Sequence, residues 1–481
     1  MSSQKIIDHG IKSVKWTALG KVLPMALRPF LSVWLALILD PNAYGIVAIA
    51  SVFIGLSRLI QGLGLSEFLI KAKKENEIEI NSAFWSNIFI AIIIYLILVI
   101  ASPFISTLYN IDQLEFVIPV LSLIVIFNSF GFIPQSILTK KMSFKKLFMI
   151  QIIPLLSLLA FTIPLAYLGF GVWALVIGTL INSFFENIFY LFFSKWKPKF
   201  IFSFERFREM FQFGKWIVIQ KNAEYFYYNI DLFLAGIFFN TYDIGLYSVG
   251  KNFIRMIYTS VNGPVGAIVL PMFSKLQADS KNFGNYLLSI TKKLSFLNIP
   301  ILVGLFIISE DLTSFLFKNK WDGLGTLMSI LVIGEGLSRN FWAHRDLLQI
   351  LNRPEVYPKS IFINLFVSLF LYLFLGNNDI ATFTLVFTIN NIIYCILQIL
   401  IIRVELKVNI LDILKSLLTS SICSSIMGIL LFLSLKYFPI NLSLTYLIAL
   451  VIISVLIFVS LMFLIDNKEF KSYVSIVKKI F

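Results

Sequence analysis

The sequence predicts an all-α integral membrane protein of about 14 transmembrane helices, with two six-helix lobes around a central cavity and two further C-terminal helices. Three observations predict it. Of 481 residues, 58% are hydrophobic and 14% are charged, against roughly 45–50% and 25% in an average globular domain. Apolar runs long enough to cross a hydrocarbon core recur along the chain, at about 20 residues each. The loops between them alternate in basic content, as the positive-inside rule requires. A transmembrane barrel would instead show alternating segments of about 10 residues.

Each element follows in order. The N-terminal MSSQKIIDHGIKSVK lacks the apolar core of a secretory signal, so the first span, 14–37, is expected to direct insertion. That span holds Lys21 and Arg28 seven residues apart, on one helix face, with Pro24 between them and Pro29 just beyond. Pro24 should bend the helix and free a carbonyl. The second span, 43–65, carries Arg58 near the depth of Arg28 if the hairpin closes at 38–42. Spans 83–106, 116–138, 148–168 and 171–193 follow, and the last of these holds one carboxylate, Glu186. The seventh, 211–238, places Lys221, Glu224, Tyr228 and Asp231 at helical spacing. The eighth, 242–268, aligns Tyr247, Lys251, Arg255, Tyr258 and Asn262 in one polar stripe. After 287–308, the tenth span, 324–350, carries Glu335, Arg339, Trp342 and Asp346 on one face, with Arg345 beside it. Spans 357–376, 379–402, 413–435 and 443–465 complete the set.

The loops test this order. One set, 66–82, 139–147, 194–210, 269–286, 351–356 and 403–412, includes KAKK, TKKMSFKK, KWKPK and FERFRE. In the opposite set only 309–323 (Lys318, Lys320) and 436–442 (Lys436) hold a basic residue. Both termini are therefore expected in the cytoplasm. The net charge of +14 reads as this orientation bias rather than as a nucleic-acid surface, since no soluble segment is large enough to present one. Cys395, Cys423, His9 and His344 offer no metal-site spacing, and no cofactor is expected. LALILDPNAYG (35–45) is echoed by LAGIFFNTYDIG (234–245). Both join two spans on the outer side, which suggests a parallel repeat. The expected division is 1–210 and 211–402 for the lobes, and 403–481 for the C-terminal pair and tail.

Charges inside spans are costly and usually meet a polar cavity or a partner. Lys21 can also snorkel to the inner interface. Glu335 and Arg339 can neutralise each other, as can Lys221 and Glu224, and Asp231 can pair with Lys251 or Arg255. Glu186 is either a coupling carboxylate or a partner for a cation on another helix. Cations dominate the first, second and eighth spans, so the expected ligand is an anion, with diphosphate the natural candidate. Tyr228, Tyr247, Tyr258, Asn222 and Asn262 suit a sugar beside it.

The stretches LALILDPNAYGIVAIASVFIGLSRLIQGLGLSEFLI (35–70), NSAFWSNIF (81–89), LGFGVWALVIG (168–178), KWKPK (195–199) and NIDLFLAGIFFNTYDIGLYSVGKNF (229–253) carry a resemblance. So do VLPMFSKLQAD (269–279), NKWDG (319–323) and ILNRPEVYPK (350–359). In this order they resemble the Wzx-type O-antigen and exopolysaccharide flippases of the multidrug/oligosaccharidyl-lipid/polysaccharide exporter superfamily. The resemblance implies alternating access and export of an undecaprenyl-diphosphate-linked oligosaccharide across a bacterial inner membrane. It places Arg58 and Arg255 where related lipid II flippases line their cavity with arginine, while Lys21 and Arg28 are offset in register. Coupling to protons or sodium would act on Glu186, Glu224, Asp231 or Glu335. The expected partners are the lipid-linked substrate, membrane lipids and the polysaccharide polymerisation machinery, and the expected state is a monomer. A drug or cation antiporter or a peptidoglycan-precursor flippase of the same superfamily are the alternatives. A membrane enzyme would have to work with Glu310, Asp311 and Asp322 in the outer loop 309–323.

Overall fold

In the computed structural model the described residues are 27–62, 64–65, 68–69, 76–141, 143–275, 282–351, 353, 355–437, 444–467 and 470–471. Lys21 and Pro24 lie outside them. Among the described residues the chain forms helices and no strand. The reason is local: in a hydrocarbon medium each backbone N–H and C=O must be satisfied within its own segment.

The helices run α1 Leu27–Ile38, α2 Pro41–Gly62, α3 Glu77–Tyr109, α4 Leu114–Lys140, α5 Phe144–Ser157, α6 Val172–Ser194, α7 Phe204–Phe238 and α8 Thr241–Lys275. They continue as α9 Phe283–Phe317, α10 Leu324–Ser338, α11 His344–Ile350, α12 Val356–Leu375, α13 Ile380–Leu406, α14 Ile410–Tyr437 and α15 Leu444–Ile465. Ten of the described helices are long and apolar enough to cross a membrane, and α1 and α10 are shorter apolar helices. At 35 residues each, α7 and α8 are long but interrupted by charge.

Several ends differ from the sequence expectation because capping side chains extend the helices. Asn76 accepts the Ile78 N–H at 3.0 Å, so α3 begins at Glu77 rather than 83. Ser203 caps α7, which draws FERFRE out of the expected loop and into the helix. Asp379 accepts the Thr382 N–H at 2.9 Å at the start of α13. The same bonds hold its carboxyl below the usual aspartate range. The fifth span is not uniform: α5 passes through a π-helical turn at Leu158–Thr162 into Ile163–Tyr167. Pro154 and Pro164 flank that turn and remove two ladder donors.

The expected continuous tenth span is broken. α10 ends at Ser338, and α11 starts at His344. Side-chain amides gather at the break. Its Nδ2 bonds the Gly336 and Leu337 carbonyls at 3.0 and 3.1 Å, while Asn298 Nδ2 reaches the Arg339 carbonyl at 3.3 Å. The Leu337 carbonyl also accepts the Asn340 N–H at 3.3 Å, so side chain and backbone share that acceptor.

Contacts divide the chain into two compact units, Met1–Ser248 and Val249–Phe481. In the first, α4 packs against α3 and α6, and α2 packs against α7. In the second, α9 packs against α10 and α14, and α13 against α10 and α12. The α14–α15 pair seats Cys423, Met427, Phe458 and Met462 in a core that Phe296 and Val303 of α9 also pack against. Within the first unit the two echoed turns meet reciprocally. A Cβ on Gly45 would stand 2.0 Å from the Thr241 carbonyl oxygen, and one on Gly245 would stand 2.0 Å from that of Pro41. Only glycine allows two helix starts this close.

Candidate functional site

Two polar clusters are built into the apolar bundle, one in each unit. In the first unit a cavity of about 360 Å³ is lined by Arg58, Gln135, Asn128, Glu186 and Tyr190. Helical spacing creates it. Ser183, Glu186, Asn187 and Tyr190 lie on one face of α6, and Asn128 and Gln135 sit seven residues apart on α4. The wall is bonded rather than loose. Asn187 Nδ2 and Ser183 Oγ each donate to Asn128 Oδ1 at 2.9 Å. Gln135 Nε2 donates to Tyr190 Oη at 3.1 Å, and Tyr190 donates on to Glu186 Oε1 at 3.4 Å. Gln61, also in the lining, donates from Nε2 to Asn87 Oδ1 at 3.1 Å and to the Val125 carbonyl at 3.0 Å.

Arg58 comes to this cavity from α2 and is exposed to it. Its electrostatic neighbours are Glu186 and Tyr225, and Glu186 also feels Arg28. Arg28, Arg58 and Glu186 therefore form one electrostatic group on three helices. Tyr225 supports it: its hydroxyl donates to the Val52 carbonyl at 2.9 Å and rests against Gly55. Among the described residues Arg58 has no carboxylate within ion-pair distance. A guanidinium at the wall of a polar cavity, with its counter-charge set back, can take an anionic ligand through paired N–H donors.

The second unit gathers different residues. Glu335 is buried and receives Arg339 Nε and Nη2 at 3.0 and 2.8 Å, with Arg255 Nη2 at 3.8 Å. Lys251 is buried, with its ammonium 5.3 Å from the Phe387 ring centroid. Tyr258 and Asn262 are buried as well. Asn262 Nδ2 donates to Asn298 Oδ1 at 2.9 Å, and Asn298 donates to Asn340 Oδ1 at 3.4 Å. This amide ladder ties α8 and α9 to the break after α10.

The polar stripe expected on the eighth span meets different partners along α8. Tyr247 belongs to the first unit and bonds Asp231, with both groups buried. Arg255 keeps about a third of its side chain exposed, whereas its neighbours on the stripe are enclosed. Glu224 accepts Gln220 Nε2 at 3.1 Å. Asp346 has no described side chain. Sequence reasoning missed Gln135, Asn128, Tyr190 and the Asn262–Asn298–Asn340 ladder. The first three carried a usable signal in their spacing. The ladder joins three helices and carried none. Among the described residues no cluster of metal-ligating side chains is present.

Comparison with known proteins agrees with this architecture. The succinoglycan biosynthesis transport protein ExoT of Rhizobium meliloti (strain 1021) is 24% identical over 326 residues, covering 68% of this chain and 66% of that protein. The lipopolysaccharide biosynthesis protein WzxC of Escherichia coli (strain K12) is 23% identical over 328 residues, covering 68% and 67%. The chain thus spans about two thirds of the length of each. Among solved structures, lipid II flippase MurJ in an inward closed conformation superimposes with a TM-score of 0.74 at 18% identity, covering 96% of this chain and 99% of that one. The fold implied by the sequence resemblance is therefore the fold found. The family described as polysaccharide biosynthesis protein matches residues 34–325, and the chain is a member of that family.

Proposed function

We propose that the protein is a flippase that moves an undecaprenyl-diphosphate-linked oligosaccharide across a bacterial inner membrane by alternating access. The observation that carries the reading is the cavity shared by Arg58 and Glu186. It is a polar chamber with a guanidinium at its wall, inside helices that are otherwise apolar. A diphosphate is the anion whose paired oxygens match guanidinium donors. The polyprenyl tail stays in lipid while the head group crosses, and no covalent bond is made or broken. Glu186 takes the coupling proton or sodium ion, as the carboxylate that lines this cavity beside Tyr190. The six-plus-six division with an appended C-terminal pair, fourteen spans, cytoplasmic termini and a monomer working beside a polysaccharide polymerase belong to the same proposal.

The test is translocation by the purified full chain in sealed vesicles, with a fluorescent undecaprenyl-diphosphate oligosaccharide as substrate and a cationic dye as competitor. The proposal expects the lipid to move and the dye to be without effect. Dye efflux without lipid movement would make the protein a cation antiporter.

A further inference from the structure

We propose that the outer end of the first unit carries a docking subsite for the uncharged sugar residues of the exported glycan. The inference rests on the flippase reading and adds a place where the carbohydrate itself is held.

The observation is a second cavity of about 530 Å³, at the N-terminal ends of the helices that carry Arg58, Asn128 and Glu186. That size falls in the range of small-ligand sites, about 300–1,000 Å³. Three helices begin at its rim, α2 at Pro41, α4 at Leu114 and α6 at Val172. Most first-turn N–H groups there are taken by the preceding turn, Leu114 by the Ile111 carbonyl, Val117 by Gln113 and Trp173 by Phe170, so side chains supply the polar contacts. Three polar side chains, Asp40, Asn42 and Gln113, stand among three aromatic ones, Phe116, Phe170 and Trp173. Phe116 is 64% exposed and Phe170 is 46% exposed, so ring surface is available to a ligand. Gln113 precedes α4 without making a capping bond, so its amide is not committed to that helix. The turn between the fifth and sixth spans is held low by Gly169 (φ +82°) and Gly171 (φ +54°). Nothing lies within 4 Å of where a Cβ would stand on either. The rim is therefore open there.

The chemistry selects the ligand class. No Lys or Arg lines this cavity, and Asp40 does, so a diphosphate is disfavoured. A sugar fits. Its hydroxyls donate to the Asp40 carboxylate and accept from the amide groups of Asn42 and Gln113. Its C–H faces lie on aromatic rings as apolar surface. The loops that form the rim, 38–42, 107–115 and 169–170, carry no basic residue, which puts the cavity on the outer side.

The test uses the detergent-purified full chain. The probe is the oligosaccharide repeat released from the producing strain's surface polysaccharide, free of phosphate and lipid, and its binding is measured by calorimetry. Wild type is expected to bind at a dissociation constant on the order of millimolar, with Gln113→Ala and Trp173→Phe each weaker by about tenfold. Arg58→Ala should bind the free sugar as wild type does. Gln113→Ala removes no capping bond, so its melting temperature should stay unchanged, and that variant keeps the test sound if Trp173→Phe misfolds. Absence of binding by wild type, or equal binding by both variants, overturns the subsite. The two readings separate in vesicles. Lipid movement without these binding effects keeps the flippase and discards the subsite, and sugar binding without lipid movement does the reverse.

Discussion

Arg58 and Glu186 show how single residues acquire meaning from their surroundings. In the sequence each is one charge in an apolar run, and Glu186 reads either as a coupling carboxylate or as a partner for a cation on another helix. In the structure Tyr190 bonds Glu186, and Arg58 stands across the same chamber without a direct ion pair. Replacing Glu186 with Gln keeps the Tyr190 bond and removes the charge. Transport by that variant should continue downhill and lose its response to an imposed proton or sodium gradient, measured by uphill accumulation in vesicles. Glu335 has the opposite character. Two arginines hold it, so Glu335→Ala should destabilise the fold by about 1–3 kcal/mol by leaving guanidinium groups without their acceptor. Thermal unfolding in detergent reads that loss. The sequence showed the Glu335–Arg339 spacing plainly, because an i,i+4 pair is local. It could not show Arg255 joining them, since that contact depends on how α8 meets α10.

At the scale of elements, hydropathy located most helices, and capping moved their ends. The FERFRE stretch was read as a loop from its charge, yet Ser203 and Glu205 at the first turn start a helix there. The break after α10 was not legible, because an asparagine inside an apolar run has no strong signal of its own. In the fold Asn340 bonds the Gly336 carbonyl, while Asn298, from α9, bonds a different one, that of Arg339. Asn298→Ala should free the Arg339 carbonyl and Asn262 together and cost about 1–3 kcal/mol. Faster hydrogen exchange confined to 336–344 is the measurement that checks it. The turn pair gives a second prediction. Gly45→Val would drive a side chain into the Thr241 backbone, with 2.0 Å available to its Cβ. A loss of about 1–3 kcal/mol is expected from overpacking, and Gly304→Ala, with nothing within 4 Å of its Cβ, should cost less.

For the whole molecule, composition and loop charge made the class of fold readable before any coordinates. The echo between 35–45 and 234–245 was faint as sequence. It is explicit in the structure, where Gly45 and Gly245 each admit the other turn's backbone. The candidate site was readable only in part. Intramembrane cations pointed to an anion, but their sharing among cavity, ion pair and enclosed core depends on long-range packing. Lys251 illustrates the limit: its position on the stripe suggested a ligand contact, and its ammonium lies near Phe387 in the interior. The central claim is that Arg58 at the first unit's cavity receives the diphosphate. The most direct measurement is translocation of a labelled undecaprenyl-diphosphate oligosaccharide by wild type, Arg58→Lys and Arg58→Ala in sealed vesicles, with melting temperatures recorded alongside. A fall of at least about 100-fold for Arg58→Ala, partly restored by Arg58→Lys and with unchanged melting, is the predicted result. Wild-type rates in a well-folded Arg58→Ala would contradict it.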